Sequence, residues 1–179
     1  MTAALGAMVK PVLVFGFGNP SRGDDALGPL LLEFIEANFD WPSIEFLTDF
    51  QLQIEHALDM ENRKLVLFVD ASVSCRSAFD FAKLEPAVDN NYTTHAMSPA
   101  AVLQVYQAIK KQTPPPSFLL SIKAEKMKLG SGLSPQAQGH FNQACQFAEG
   151  LMQNLNIDFW AQQTNKMRKT EYERIGFAS

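Results

Sequence analysis

The sequence predicts an α/β chain: a single-domain, three-layer fold with a mostly parallel, twisted sheet flanked by helices. Three observations predict it. "PVLVFGF" (11–17) and "KLVLFVDAS" (64–72) are continuously apolar, the pattern of strands covered on both faces. Between such runs lie stretches with helical spacing, and strands alternating with helices imply a parallel sheet with helices on its faces. The chain has 179 residues, of which 46% are hydrophobic and 19% charged, enough to bury one sizeable core.

Taken in order, the first strand is followed by "ALGPLLLEFIEANF" (26–39), where Leu30, Leu31, Phe34, Ile35 and Phe39 recur at helical spacing and Pro29 fits only in the first turn. "SIEFLTDF" (43–50) alternates as an edge strand does, and "QLQIEHALDM" (51–60) reads as a short helix presenting Leu52, Ile54 and Leu58. The third strand runs straight into Asp70. "SAFDFAKL" (77–84) has period two, which suits a half-solvated, antiparallel strand. After the polar stretch that contains His95, Ser98-Pro99 is an N-cap with proline at the first helical position, so a helix begins there and ends near "QTPPPS". "SFLLSIKAE" (117–125) supplies another strand, and Ser134-Pro135 repeats the capping signal ahead of a long amphipathic helix. From there "NIDFWAQQTNKMRKTEYERIGFAS" is polar and lacks clean periodicity, which sets the expected domain at 1–160 and a polar tail, mobile or partner-dependent, at 161–179.

Composition excludes several classes of function. A formal charge of -4 and a pI near 5.3 offer no basic footprint for nucleic acid or an anionic membrane surface. Cys75 and Cys145 lie too far apart for a disulfide framework or a zinc knuckle. No stretch approaches the roughly 18 to 20 apolar residues that span a bilayer. In "MTAALGAMVK" the lysine follows the small residues, the reverse of a secretory signal, so a cytoplasmic protein is expected.

The segment "GFGNPSRGDD" (16–25) follows the first strand as a phosphate-binding loop would, yet its glycines are spaced G-x-G-x-x-x-x-G, Pro20 lacks an N–H, and Asp24 and Asp25 repel an anion. Such a loop attracts a cation instead. In a parallel sheet, ligands bind beyond the carboxyl ends of the strands, which is where Asp24, Asp25 and Asp70 lie. A carboxylate from Asp24 or Asp25, that of Asp70, and the imidazole of His95 make a partly open shell for a borderline divalent metal, with room left for water or a substrate group. Either adjacent aspartate also suits the N-cap of the first helix. His56 is expected on a helix, His140 facing solvent, and Cys75 as a packed or surface thiol. There is no Ser-His-Asp or Cys-His array and no H-E-x-x-H helix.

"VLVFGFGNPSRGDDALGP", "LVLFVDAS", "TTHAMSP" and "GLSPQAQ", in that order over residues 10 to 155, resemble the hydrogenase maturation endopeptidases. These trim the C-terminus of the nickel-iron hydrogenase large subunit after nickel insertion. By that resemblance Asp25, Asp70 and His95 fall on the family's metal-binding positions and carry its catalysis, and Asn19 falls on its opening Gly-Asn pair. The implied partner is the large-subunit precursor, which brings the nickel held by its own cysteines; the implied protease is a monomer. Where the family often carries an Asp-Gly-Gly-Thr-like turn, this chain keeps Asp49 and replaces the glycines with Phe50 and Gln51. The same residues also suit a non-cleaving, nickel-dependent binding module or a self-sufficient metallopeptidase.

Overall fold

The computed structural model describes residues 8–89 and 96–175, with side chains through Thr170. Five strands form one sheet: β1 (Val12–Phe17), β2 (Ile44–Asp49), β3 (Leu65–Ser72), β4 (Phe79–Lys83) and β5 (Ser117–Lys123). Their order is β2-β1-β3-β5-β4, with every pairing parallel except β4 against β5. The continuous apolar runs form the middle of this sheet because both of their faces are covered. Val12 and Val14 of β1 and Leu65, Leu67 and Val69 of β3 point into one core. Leu13, Phe15, Val66 and Phe68 point into the other. The alternation of side chains along a strand thus divides one hydrophobic stretch between two layers.

The first core is roofed by α1 (Leu27–Asn38), α4 (Pro135–Gln153) and α5 (Ile157–Ile175), the second by α2 (His56–Asp59) and α3 (Pro99–Lys110). The three-layer α/β fold expected from the sequence is the observed one. The edge position of β2 and the antiparallel direction of β4 are as expected too. Both Ser-Pro signals act as helix starts: the Ser98 hydroxyl accepts from the Ala101 N–H at 3.1 Å and the Ser134 hydroxyl from the Ala137 N–H at 3.3 Å.

Three expectations need correction. The helix expected over 51–60 shrinks to the single turn of α2; Leu52, Ala57 and Met60 are buried, whereas Ile54 and Leu58 are 55% and 54% exposed. Tight turn bonds to the carbonyl three residues back satisfy most of this segment's backbone, as from the His56 N–H to the Gln53 carbonyl at 3.1 Å, while the Gln53 N–H donates to His56 Nδ1 at 2.8 Å. His140 is half-buried, not solvent-facing, and its Nδ1 lies 3.0 Å from the Lys123 carbonyl, tying α4 to the end of β5. The polar stretch after residue 160 is helical as far as it is described. Trp160, fully buried, sets its ring against Phe81 and Phe118, and Thr164 is buried one turn on, so α5 belongs to the domain's first layer.

Candidate active site

The strand order makes a switch point. From β1 the chain goes outward to β2 on one side and then returns to β3 on the other, so a crevice opens between the carboxyl ends of β1 and β3. The loop after β1 enters this crevice and turns through a short 3-10 segment, Gly23–Ala26, into α1. Two glycines make the close approach. A Cβ on Gly18, whose φ is +146°, would stand 2.0 Å from the Asp25 carbonyl oxygen. A Cβ on Gly28 would stand 2.7 Å from the Val69 carbonyl and 2.8 Å from that of Phe17, so the start of α1 rests directly on the ends of β3 and β1.

The adjacent aspartates have different tasks. Asp24 is fully buried and accepts from the backbone N–H groups of Glu125 and Lys126 at 2.8 Å each, from the Ser134 N–H at 2.7 Å and from the Ser134 hydroxyl at 2.8 Å. Burial alone would raise its pKa, but the N–H donors of Lys126, Ser134 and Glu125 with the Ser134 hydroxyl outweigh it and hold the group below its ordinary value. Asp24 is therefore a structural anchor that ties the opening loop to the segment between β5 and α4. Neither aspartate caps the first helix: the 3-10 segment and α1 both lack a side-chain cap. Asp25 is half-buried, with Oδ2 accepting from the Asn19 N–H at 2.9 Å.

Asp70 ends the buried run of β3, opposite Ser121 of β5. Burial raises its pKa; the Ala71 N–H opposes the rise, the nearby negative charge of Asp25 adds to it, and the result is about 7. Asp25 is thus near enough for its charge to be felt at Asp70. His95 lies outside the described residues. The chain resumes close by, with the Met97 N–H donating to the Leu52 carbonyl at 3.2 Å and Ser98 bonded through its N–H and hydroxyl to Asp89. Among the described residues no group of three His, Cys, Asp or Glu side chains is placed to hold a metal.

Sequence reasoning missed a pair on the rim. His56 Nε2 lies 3.2 Å from Asp49 Oδ2, and its ring meets Phe15 edge-on at 4.6 Å between centroids. Because Nδ1 already accepts the Gln53 N–H, the proton sits on Nε2 and is donated to Asp49. The Asp49 carbonyl accepts from the Gly18 N–H at 3.0 Å, which joins this pair to the opening loop. A spacing of seven residues across a strand end and a turn carries no sequence signal for such a contact. Cys75 is buried, its Sγ donating to the Ser121 carbonyl at 3.5 Å, and burial with the neighbouring Asp80 pushes the thiol up to about 12. It is a packed thiol.

No protein-family model and no curated protein matches the chain. Solved structures share its fold. The hydrogenase maturating endopeptidase HybD from E. coli aligns with a TM-score of 0.66 and 24% identity, covering 79% of this chain and 92% of that one. The NiFe hydrogenase maturation protease HycI from Thermococcus kodakarensis KOD1 aligns with a TM-score of 0.63 and 20% identity, covering 81% and 94%. An endopeptidase from Escherichia coli, solved in solution, aligns with a TM-score of 0.63 and 23% identity, covering 76% and 88%. At these identities the likeness establishes the common three-layer fold.

Proposed function

We propose that this chain is a cytoplasmic hydrogenase maturation endopeptidase, which removes the C-terminal extension of a nickel-loaded hydrogenase large-subunit precursor. The observation that carries the reading is the fold shared with maturation endopeptidases, with the charge of Asp25 felt at Asp70 where the strand order reverses. Two like charges in one crevice, one of them raised to about 7, form an arrangement that a cation relieves. Asp25, Asp70 and His95 are the residues to receive nickel, two oxygens and one nitrogen suiting a borderline divalent ion that arrives already held by the substrate. Nickel is thus part of what is recognised.

For the hydrolysis, the carboxylate left free of the nickel, Asp25 or Asp70, is the group suited to general base. Before nickel arrives, burial holds Asp70 at about 7, near working pH, where a carboxylate can take a proton and return it. Water attacks the scissile carbonyl as the free carboxylate accepts its proton; the same proton then passes to the departing amine as the peptide C–N bond breaks. Burial is the main reason that the pKa of Asp70 is high, and Asp25, whose Oδ2 accepts from the Asn19 N–H, adds negative charge that raises it further.

The test is incubation of the purified chain with the large-subunit precursor, with and without nickel, read as loss of mass from the precursor's C-terminus. Cleavage is expected only of the nickel-loaded form, and His95→Ala is expected to abolish it without loss of the fold. Stable binding of the loaded precursor without mass loss would identify a non-cleaving module instead. Equal cleavage of the nickel-free form would defeat the recognition of nickel.

A further inference from the structure

One side of the β4 backbone has no partner in the sheet. Ala78 and Leu84 flank the strand, and each is bonded to β5: the Lys123 N–H donates to the Ala78 carbonyl at 2.9 Å, and the Leu84 N–H donates to the Ser117 carbonyl at 2.9 Å. Hydrogen-bonded pairs alternate along an antiparallel ladder. In the observed register, Asp80 opposite Ser121 and Ala82 opposite Leu119 therefore also spend their polar groups on β5. Phe79, Phe81 and Lys83 turn theirs outward from the last strand of the sheet, where their backbones meet no other hydrogen-bond partner among the described residues.

A cleft of about 410 Å³ is lined by residues 77–82 of this edge together with Gln143 of α4 and Met167, Arg168 and Thr170 of α5. Asp80 is paired with Ser121, and Ser121 on its other side is paired with Asp70, so the edge strand lies two interstrand spacings, about 10 Å, from Asp70. Two features define what fits. Outward N–H and C=O groups at every second residue match an extended peptide backbone. Arg168 is exposed and makes no ion pair among the described residues, whereas Asp80, the other charged residue of the cleft, is engaged with the Cys75 thiol.

We propose that the free edge of β4 is a second binding site, at which the C-terminal extension of the precursor adds as a strand and sets a carboxylate against Arg168. This rests on the endopeptidase reading and says how the extension is held while its junction lies near Asp70. It also gives the cleft between β4 and α5 a task that the crevice itself does not need.

Amide hydrogen exchange of the full chain, followed by NMR with and without a synthetic peptide spanning the extension, tests it. The amides of Phe79, Phe81 and Lys83 should slow by about tenfold or more, while those of Asp80 and Ala82, already bonded to β5, stay unchanged. Arg168→Glu should weaken the peptide by about fivefold, and Arg168→Lys should restore most of the loss. Exchange that is unaffected, or slowed without this alternation, overturns the proposal, as does an unchanged affinity in Arg168→Glu. The two readings fail separately. Cleavage of the precursor without protection of the β4 edge removes the strand-addition site and leaves the endopeptidase; the alternating protection without any cleavage removes the endopeptidase and leaves the site.

Discussion

Asp70 and Asp24 are both acidic and both withdrawn from solvent, yet they couple stability to pH with opposite signs. For Asp70 the folded pKa of about 7 lies above the ordinary carboxylate value, because burial, and then Asp25, disfavour the charged form. Its contribution to stability is full below about pH 4 and is lost as pH rises to about 7, a cost of up to about 4 kcal/mol at higher pH. Asp70→Asn should therefore be more stable than the parent at pH 8 and equal to it near pH 3.5, while losing precursor processing; thermal unfolding across that range checks it. Asp24 has its folded pKa depressed, so its contribution is present above about pH 4 and is lost as pH falls below that. Asp24→Ala leaves three backbone N–H groups and the Ser134 hydroxyl without their acceptor, and should cost about 3 kcal/mol or more in urea unfolding at pH 7.

Among the elements, α5 and the segment after β2 departed from what the sequence suggested. The window after residue 156 is mostly polar, and its few apolar side chains do not repeat cleanly, so periodicity had little to report. One residue overrides that. Trp160 buries its ring against Phe81 and Phe118 while its Nε1–H donates to the carbonyls of Leu151 at 3.1 Å and Asn154 at 2.8 Å. Trp160→Ala should lower stability by about 3–5 kcal/mol and loosen β4, read as a lower denaturation midpoint. The segment after β2 presents Phe50, 67% exposed, on the rim beside Asp49. Replacing Phe50 and Gln51 with glycine should change stability little but alter which precursor is processed, as a panel of large subunits would show. Equal processing of every precursor by both forms would refute that role.

At the scale of the whole molecule, the order β2-β1-β3-β5-β4 places the loop after β1 and the end of β3 on either side of one crevice, while two helical layers keep the sheet rigid behind them. Among the described residues, no group of three His, Cys, Asp or Glu side chains is placed to hold a metal. Unrelated peptides incubated with the purified protein should therefore stay intact over times that complete processing of the nickel-loaded precursor, as mass spectrometry would reveal. Among the described residues, no helix is long and apolar enough to cross a membrane. A shared fold supplies shape, whereas function is decided by the groups grafted onto it.

The order of elements, the buried runs of β1 and β3, the edge place of β2, the reversal of β4 and both Ser-Pro helix starts were legible in the sequence. Each is a local property, set by side-chain periodicity or by the fit of serine and proline to a helix N-terminus. The place of Asp70 was legible for the same reason, since the apolar run of β3 leads straight into it, whereas Asp25 lies past β1 in the 3-10 segment before α1. Only the tertiary structure decided which of the two adjacent aspartates stays available. Asp24 is consumed by donors about one hundred residues away, a contact set by how the segment between β5 and α4 docks on the opening loop. The pairing of His56 with Asp49, the burial of Trp160 and the rise of Asp70 to about 7 are of the same kind. Desolvation and distant hydrogen bonds depend on what the folded chain brings into contact, and no window of neighbouring residues contains that information.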